Sequence, residues 1–323
     1  MFDFRGPAKS GTPPPGRVVE GGRRQEAGFS FLIINTMNIQ RRHFLQSASA
    51  LSCLPFLGGV IDVFGKETRK PFKIGICDWD LGVTGDPKCF ALAKELGLDA
   101  VEVSYRPEGE FSLSQPKNRE LFLETAKKES IEIASLAMGI LNEVPLATAE
   151  PTEGWVADCI DALDAMKVKN VLLASFGNGD IKDNVESRNK ATEKLKRLAQ
   201  KAAEKKVILG IESYLNAKEH LEMLEKIGSD AVKVYYDIQN MLTKEYPIYD
   251  DMEQLLKEKV ICQLHCKEYG SRLGEGKVDF LKVRDLVEKY DYQGWLIIES
   301  SVTGDWKESQ KANAAYLRKT FNP

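Results

Sequence analysis

Residues 207–238 read VILGIESYLNAKEHLEMLEKIGSDAVKVYYDI, and this stretch holds the unit that decides the fold. Its two ends, Val207–Tyr214 and Val232–Ile238, are rich in β-branched and aromatic residues. Between them, Lys218–Ile227 has apolar residues at helical spacing and a charged face. A strand, a helix and a second strand in this order predict two parallel strands joined by a helical crossover.

The same alternation extends from residue 72 almost to the end of the sequence. The β-rich runs are Phe72–Trp79, Ala100–Tyr105, Ile131–Met138, Asn170–Phe176, Val207–Tyr214, Val232–Ile238, Val260–Lys267 and Trp295–Ser301. The helical stretches are Pro87–Leu96, Asn118–Lys128, Val156–Met166, Glu186–Lys205, Lys218–Ile227, Asp251–Lys257, Leu281–Lys289 and Lys307–Thr320. Eight repeats over about 250 residues predict an α/β protein with a closed (β/α)₈ TIM barrel. A doubly wound open sheet is the alternative, but it requires a Gly-rich phosphate loop that Gly82-Val83-Thr84-Gly85 does not provide.

The composition excludes several classes of protein. Of the 323 residues, 43% are apolar and 29% are charged, which is typical of a globular chain and unlike a collagen-like or wholly disordered one. The net charge of −3 provides no basic field for nucleic acid, so we expect no nucleic-acid partner. The six cysteines include no Cys-x-x-Cys pair, which argues against a zinc ribbon or a dithiol redox motif.

The first 70 residues differ from the rest, since they carry a net charge of +5 against −8 for the remainder. Residues 1–36 are interpreted as disordered or as the product of too early a start, with Met37 as the better start. Residues 37–70 contain Arg41-Arg42-His43-Phe44-Leu45 and a short apolar run, and they resemble a twin-arginine signal with a linker. An amphipathic N-terminal helix and a lipoprotein cleavage site at Cys53 are alternatives. We therefore expect a single barrel domain over 71–323, exported to the periplasm, with no stable membrane span after signal cleavage.

In a barrel of this type, chemistry takes place at the carboxyl ends of the strands. The polar residues expected there are Asp78, Glu102, Ser175, Glu212, Asp237, His265 and Glu299. Alternation along the seventh strand places His265 on the inner face with Gln263 and Lys267, and it places Cys262, Leu264 and Cys266 on the outer face. The same argument directs Glu212, Asp237 and Glu299 toward the barrel axis.

Three carboxylates at one barrel mouth would repel one another unless a cation lay between them. One imidazole and three carboxylates suit one divalent metal ion, which could be Mn²⁺, Zn²⁺, Co²⁺ or Mg²⁺. Each residue alone has a structural interpretation as a cap, a salt bridge or a core histidine. Their occurrence on four successive strands favours a metal site.

Several motifs resemble the xylose isomerase-like barrel superfamily and, more narrowly, its sugar (phosphate) isomerase/epimerase branch. These are Gly210-Ile211-Glu212-Ser213-Tyr214, Tyr236-Asp237-Ile238-Gln239-Asn240, His265-Cys266-Lys267-Glu268, 273–280 and Ile298-Glu299-Ser300. The resemblance covers roughly residues 72–320. It implies that Glu212, Asp237, His265 and Glu299 hold a single divalent metal. It also implies that Glu212 and Glu299 are the acid/base pair that exchanges a proton on opposite faces of the substrate.

The resulting prediction is a metal-dependent sugar isomerase or epimerase that acts on a ketose or keto-sugar through a metal-stabilised enediolate. The expected partner is a small-molecule carbohydrate, and a homo-oligomer is left open. The candidate substrate-binding residues are Lys267, Arg272, Asn240 and Trp79. For three of them a structural interpretation is also open: a salt bridge for Lys267, a solvated loop charge for Arg272 and core packing for Trp79.

Other functions use the same residues. A keto-glycoside lyase or hydrolase would expel a leaving group instead of returning the proton. A two-metal aldose isomerase and a three-metal apurinic endonuclease both use more histidines than this chain offers, and Asn240 stands where such nucleases have a metal-binding histidine. A non-catalytic periplasmic sugar-binding barrel is the alternative of another class, but binding alone requires no pair of glutamates on opposite faces.

Overall fold

The computed structural model describes residues 71–300 and 304–323. In this part of the chain, eight parallel strands pair in sequence order and β8 pairs with β1, so the sheet closes into a barrel. The strands are β1 (Ile74–Cys77), β2 (Ala100–Ser104), β3 (Glu132–Met138), β4 (Asn170–Ser175), β5 (Ile208–Ser213), β6 (Val232–Asp237), β7 (Ile261–Cys266) and β8 (Leu296–Ile298). The predicted (β/α)₈ barrel is confirmed. The last strand is shorter than predicted, and Ser301 of that prediction lies outside the described residues.

Helices follow the strands and cover the barrel. They are α1 (Cys89–Glu95), α2 (Pro116–Glu129), α3 (Thr152–Met166), α4 (Val185–Lys205), α5 (Ala217–Ile227), α6 (Ile238–Thr243), α7 (Ile248–Lys257), α8 (Phe280–Lys289) and α9 (Trp306–Phe321). Short 3₁₀ helices follow β1, β3 and β4 at Asp78–Leu81, Gly139–Asn142 and Gly177–Gly179. The three 3₁₀ helices and α6 were not predicted from the sequence, because each is too short to show a helical period.

Helix α5 shows how local sequence determines one of these elements. Asn216 and Glu219 form a reciprocal capping box at its start, which satisfies backbone N–H groups that the helix leaves free. The helix ends at Ile227 and is capped by Gly228, whose φ of 69° is accessible to glycine at little cost. Its buried residues include Met223 and Ile227, four apart on one face, which therefore packs against the barrel.

The inside of the barrel follows the predicted alternation with one exception. Leu264 and Cys266 belong to the core between strands and helices, as expected, and His265 is fully buried. Cys262 was predicted on the outer face, but its side chain packs against the inner cluster that contains Tyr235. The cause is an irregularity in the β6–β7 pairing, where Val234 pairs with Ile261 and Tyr235 pairs with Gln263. Cys262 is skipped in the register, so alternation fails there.

Two further sets of predictions concern membrane-spanning segments and the N-terminal 70 residues. No helix among residues 71–300 and 304–323 has the length and apolar character needed to cross a membrane. The predicted disordered or mis-started segment 1–36 and the export signal and linker in 37–70 lie outside the described residues. These assignments and the boundaries of the barrel domain therefore stay predictions.

Candidate metal and proton-transfer site

The four predicted metal ligands lie together at the carboxyl end of the barrel. Ligand atoms from Glu212, Asp237, His265 and Glu299 are all within 4.8 Å of one another. His265 Nδ1 is 3.1 Å from Glu212 Oε1, 3.1 Å from Glu299 Oε2 and 3.9 Å from Asp237 Oδ2. The imidazole therefore directs one nitrogen at oxygens from three different strands or strand ends.

Backbone contacts hold two of these carboxylates in place. Asp237 ends β6 and caps α6, because its Oδ1 accepts a hydrogen bond of 2.8 Å from the backbone N–H of Asn240. Glu299 follows β8, and its backbone N–H donates to the carbonyl of Cys266 on β7. Asp80 Oδ2 accepts a hydrogen bond of 2.6 Å from the N–H of Ser300, which fixes the chain just after Glu299.

The other side of the His265 ring contacts a deeper polar layer. Its Nε2 is 3.0 Å from Glu102 Oε1, and both side chains are fully buried. Tyr235 packs against the imidazole with ring centroids 4.6 Å apart, and Trp79 lies edge-on to it at 6.3 Å. The ring is thus held by packing and by a carboxylate on the side away from Glu212.

Lys267 supplies positive charge to the carboxylates. Its Nζ lies 2.7 Å from Glu299 Oε2 and 3.2 Å from Asp237 Oδ2. Lys267 therefore forms a salt bridge with two carboxylates, and it also lines the cavity above them.

Burial and charge shift the acid–base properties of the cluster in different directions. Burial raises the pKa of Asp237 and of Glu212, although Lys267 opposes the first shift and His265 the second. For Glu299, burial is outweighed by His265 and Lys267, so its pKa is lowered. Burial disfavours protonated His265, but surrounding acidic groups, among them Glu299 and Glu212, outweigh this effect and raise its pKa.

One structural observation, independent of the sequence pattern, indicates that these residues fit a divalent cation. Asp237 Oδ2 is buried and accepts no hydrogen bond, with Lys267 as its ion-pair partner. A buried carboxylate oxygen without a donor is costly unless a cation compensates it. One imidazole nitrogen and three carboxylates also form the mixed donor set that Mn²⁺, Zn²⁺, Co²⁺ or Mg²⁺ accepts.

A cavity of about 840 Å³ opens above the cluster. Its lining includes Glu212, Glu299, Lys267, Asn240 and Trp79, together with side chains from the β2, β3 and β4 ends. Trp79 Nε1 also donates a hydrogen bond of 3.3 Å to Glu299 Oε1, and Asn240 Oδ1 accepts one of 2.8 Å from Tyr269. These positions suit substrate contact, which stays a prediction.

Arg272 is placed differently from the other candidate substrate residues. It lies in the loop between β7 and α8 and is not among the residues described as lining the cavity. Arg272 is partly buried in this loop, and its contact with substrate stays a prediction.

Two acidic residues near the site were given no role from the sequence. Glu102 was recognised as a polar strand-end residue but not as a partner of His265, although a glutamate inside the apolar run Ala100–Ser104 was a usable signal. Asp80 lies one residue beyond the predicted end of β1. Burial raises its pKa to about 7, and repulsion from Glu299 adds to the shift.

Solved structures of sugar epimerases share this fold. The chain is 16% identical to 3-keto-D-glucoside 4-epimerase from E. coli, with a TM-score of 0.64 over 77% of this chain and 99% of that one. It is 14% identical to a D-psicose 3-epimerase solved in the presence of D-fructose, with a TM-score of 0.64 and coverages of 78% and 100%. A xylose isomerase domain protein from Planctomyces limnophilus gives 17% identity, a TM-score of 0.65 and coverages of 79% and 100%.

At these identities the likeness establishes the fold alone. A search of curated proteins finds no match. The family comparison is decisive, because the model of the xylose isomerase-like TIM barrel matches residues 90–320, well over half of the chain. The chain therefore belongs to the xylose isomerase-like TIM barrel family.

Proposed function

We propose that the protein is a sugar isomerase or epimerase that depends on one divalent metal ion and moves a proton at a carbon next to a carbonyl. The single observation that carries this proposal is the arrangement of Glu212 and Glu299. They come from β5 and from the end of β8, and each places a carboxylate oxygen 3.1 Å from the same nitrogen of His265. Two carboxylates at one mouth can remove and return a proton on different sides of a bound sugar.

The residues that would hold the cation are Glu212, Asp237, His265 and Glu299. A divalent cation bound there would polarise the substrate carbonyl and stabilise the negative charge that develops when the neighbouring proton leaves. Lys267 would contribute a second positive charge beside Glu299, and Trp79 would orient Glu299 through its indole N–H.

The experiment is solvent-deuterium exchange into a panel of ketoses and 3-keto-glycosides with the metal-loaded enzyme. We expect deuterium at the carbon next to the carbonyl and a new epimer or isomer. Glu299→Gln and Glu212→Gln should each reduce exchange by at least about 100-fold, the lower range for a general acid or base. Exchange that is unchanged in both variants would contradict their assigned roles.

A keto-glycoside lyase or hydrolase is the second candidate. It is favoured by the cavity, which extends from the metal ligands to Arg106 and Trp155 on the β2–β4 side and so offers room for a group beyond one sugar ring. One structural neighbour also acts on a keto-glucoside according to its name. The same panel separates the candidates, because release of the free aglycone supports the lyase and deuterium exchange without release supports the epimerase. Binding without exchange or release would favour the sugar-binding barrel.

We also retain the proposal that the protein is exported to the periplasm. It depends on Arg41-Arg42-His43-Phe44-Leu45 and the apolar run that follows. Replacing Arg41 and Arg42 by Lys should retain the full chain in the cytoplasm of a bacterium with a twin-arginine pathway. Fractionation of cells that express both forms tests this, and equal periplasmic amounts would contradict it.

A further inference from the structure

A polar network crosses the inside of the barrel below the metal ligands. At its lower end, Asn170 on β4 donates a hydrogen bond of 2.8 Å to Gln263 Oε1 on β7. Gln263 Nε2 in turn donates to Ser135 Oγ and to Tyr235 OH, both at 2.7 Å. Gln263, Ser135 and Tyr235 are almost completely buried, so water does not compete for these bonds.

The direction of each hydrogen bond in this network follows from the one below it. Because the two hydroxyl oxygens accept from Gln263, each hydroxyl proton is free to be donated upward. Both are donated to the same atom, Glu102 Oε2, at 2.5 Å from Tyr235 and at short range from Ser135. Glu102 is therefore held by two donors on one oxygen, and its carboxylate cannot rotate without breaking both bonds.

The second oxygen of Glu102 faces the metal site. Oε1 is 3.0 Å from His265 Nε2, and the thiol of Cys77 also donates to it weakly at 3.7 Å. A carboxylate oxygen is an acceptor, so it requires the proton of the imidazole to be on Nε2. With the Nε2 proton held by Glu102, Nδ1 is the ring nitrogen left for the candidate metal site. It donates to the carboxylates of Glu212 and Glu299 while no cation is bound, and a cation would replace its proton.

The structure assigns Glu102 as a positioning residue that holds His265 as the Nε2–H tautomer and directs its Nδ1 lone pair at the metal. This inference rests on the proposed function in so far as it requires the metal site. It adds a residue from β2, which contributes no ligand to the cluster of four. It also explains why a glutamate is tolerated in the fully buried middle of the barrel.

The three residues Cys77, Glu102 and His265 could also be read as a second metal site, because their ligand atoms lie close together. Cys77 Sγ is 3.5 Å from His265 Nε2. That reading would require His265 to give up both ring protons and to bridge two ions. The hydrogen-bond network already accounts for both oxygens of Glu102, so we favour the positioning role. A second metal site would instead give two bound ions per chain.

The experiment compares the parent with Glu102→Ala, Glu102→Gln and Cys77→Ala in the full chain, each stripped of metal and titrated with Co²⁺. Glu102→Ala should bind Co²⁺ about 10- to 100-fold more weakly, as found for outer partners of metal-bound histidines. Glu102→Gln keeps one acceptor oxygen, but its amide nitrogen must face either the two hydroxyl donors or the Nε2–H group, so its Co²⁺ affinity should lie between those of the parent and Glu102→Ala. Cys77→Ala tests the second metal site: under the positioning role, the parent and this variant each bind one ion per chain.

A spectroscopic measurement separates positioning from general damage. The chain has three histidines, so ¹⁵N-histidine labelling of Zn²⁺-loaded protein gives few signals, and long-range ¹H–¹⁵N correlation identifies the protonated nitrogen of each. We expect His265 to carry its proton on Nε2 in the parent. If Glu102→Ala fails to fold, this parent spectrum still decides the matter.

Three results would overturn the inference: a parent His265 protonated on Nδ1, Co²⁺ affinity in Glu102→Ala equal to that of the parent, or loss of a second ion in Cys77→Ala. A parent that binds no Co²⁺ at all would instead contradict the metal site and with it the proposed function. The two failures are therefore distinguishable.

Discussion

Lys267 Nζ lies 2.7 Å from Glu299 Oε2 and 3.2 Å from Asp237 Oδ2, so a lysine that follows β7 joins two carboxylates at the ends of β6 and β8, the strands on either side of it. Asp237 is completely buried, and the lysine and Glu299 side chains are 13% and 17% exposed. At this depth a charge that loses its partner is expensive, unlike an exposed ion pair. Lys267 is thus the protein's own compensation for negative charge at the candidate metal site.

Replacing this lysine should destabilise the protein most when metal is absent. We expect Lys267→Met to lower the free energy of unfolding of metal-free protein by about 3 kcal/mol, since it leaves two buried carboxylates less compensated. Mn²⁺ should recover part of this loss. Urea unfolding with and without Mn²⁺ measures both values. Lys282→Met, which removes an exposed lysine 3.9 Å from Asp279, is the control and should change stability by less than about 0.5 kcal/mol.

Gly210, on the inner face of β5, has no room for a larger side chain. A Cβ atom added to Gly210 would lie 2.8 Å from Cys262 Sγ and 3.2 Å from Tyr235 Cδ2. We expect Gly210→Ala to cost about 1–3 kcal/mol in unfolding free energy because the barrel interior is overpacked. Adding Cys262→Ala removes the closest clash and should restore part of the loss in a double-mutant cycle.

Gly154 provides the matched control for this substitution. It lies in α3, and a Cβ atom there would have no neighbour within 4 Å. Gly154→Ala should therefore be neutral or stabilising by up to about 1 kcal/mol, since alanine is the better helix former. If both glycine variants behaved alike in thermal unfolding, the packing argument for Gly210 would be wrong.

The barrel and the grouping of four candidate ligands were predictable from sequence because both depend on strand order and alternation. Residues at successive strand ends must meet at one mouth, so Glu212, Asp237, His265 and Glu299 could be grouped without coordinates. Alternation failed at Cys262 because a register shift has no local sequence signature in Ile261–Gln263. The partner of His265 was missed for a different reason: contacts across the barrel, such as that of Glu102, depend on the stagger between distant strands.

His220 predicts a pH dependence of stability that is separate from the metal site. Burial lowers its pKa from 6.5 to about 4, and its Nε2 is 3.1 Å from Ser213 Oγ. Between these values the unfolded chain binds a proton that the folded chain does not. The stabilisation is therefore complete above pH 6.5 and is lost as the pH falls toward 4, by about 3 kcal/mol in total.

A comparison of urea unfolding at pH 7 and pH 4.5 tests this. The parent should lose more stability over this interval than His220→Gln, which has no group to titrate there. The difference between the two proteins isolates the histidine, because the carboxylates that titrate in the same range are common to both. Equal losses in parent and variant would show that His220 is protonated in the folded protein as readily as in the unfolded one.

The double role of Asp237 allows metal binding to be separated from folding. Its Oδ1 caps α6, while its Oδ2 is the buried oxygen without a hydrogen bond. Asp237→Asn keeps a capping oxygen but removes the charge, whereas Asp237→Ala removes both.

Metal at 100 times its Kd should stabilise the parent by about 2.7 kcal/mol. In Asp237→Asn this increment should disappear while the metal-free protein stays folded, because loss of the carboxylate charge removes one of four donors. Asp237→Ala should in addition lose about 1 kcal/mol without metal, the usual cost of a missing cap. Thermal unfolding with and without Mn²⁺ gives all three values, and a full metal increment in Asp237→Asn would show that this carboxylate is not a ligand.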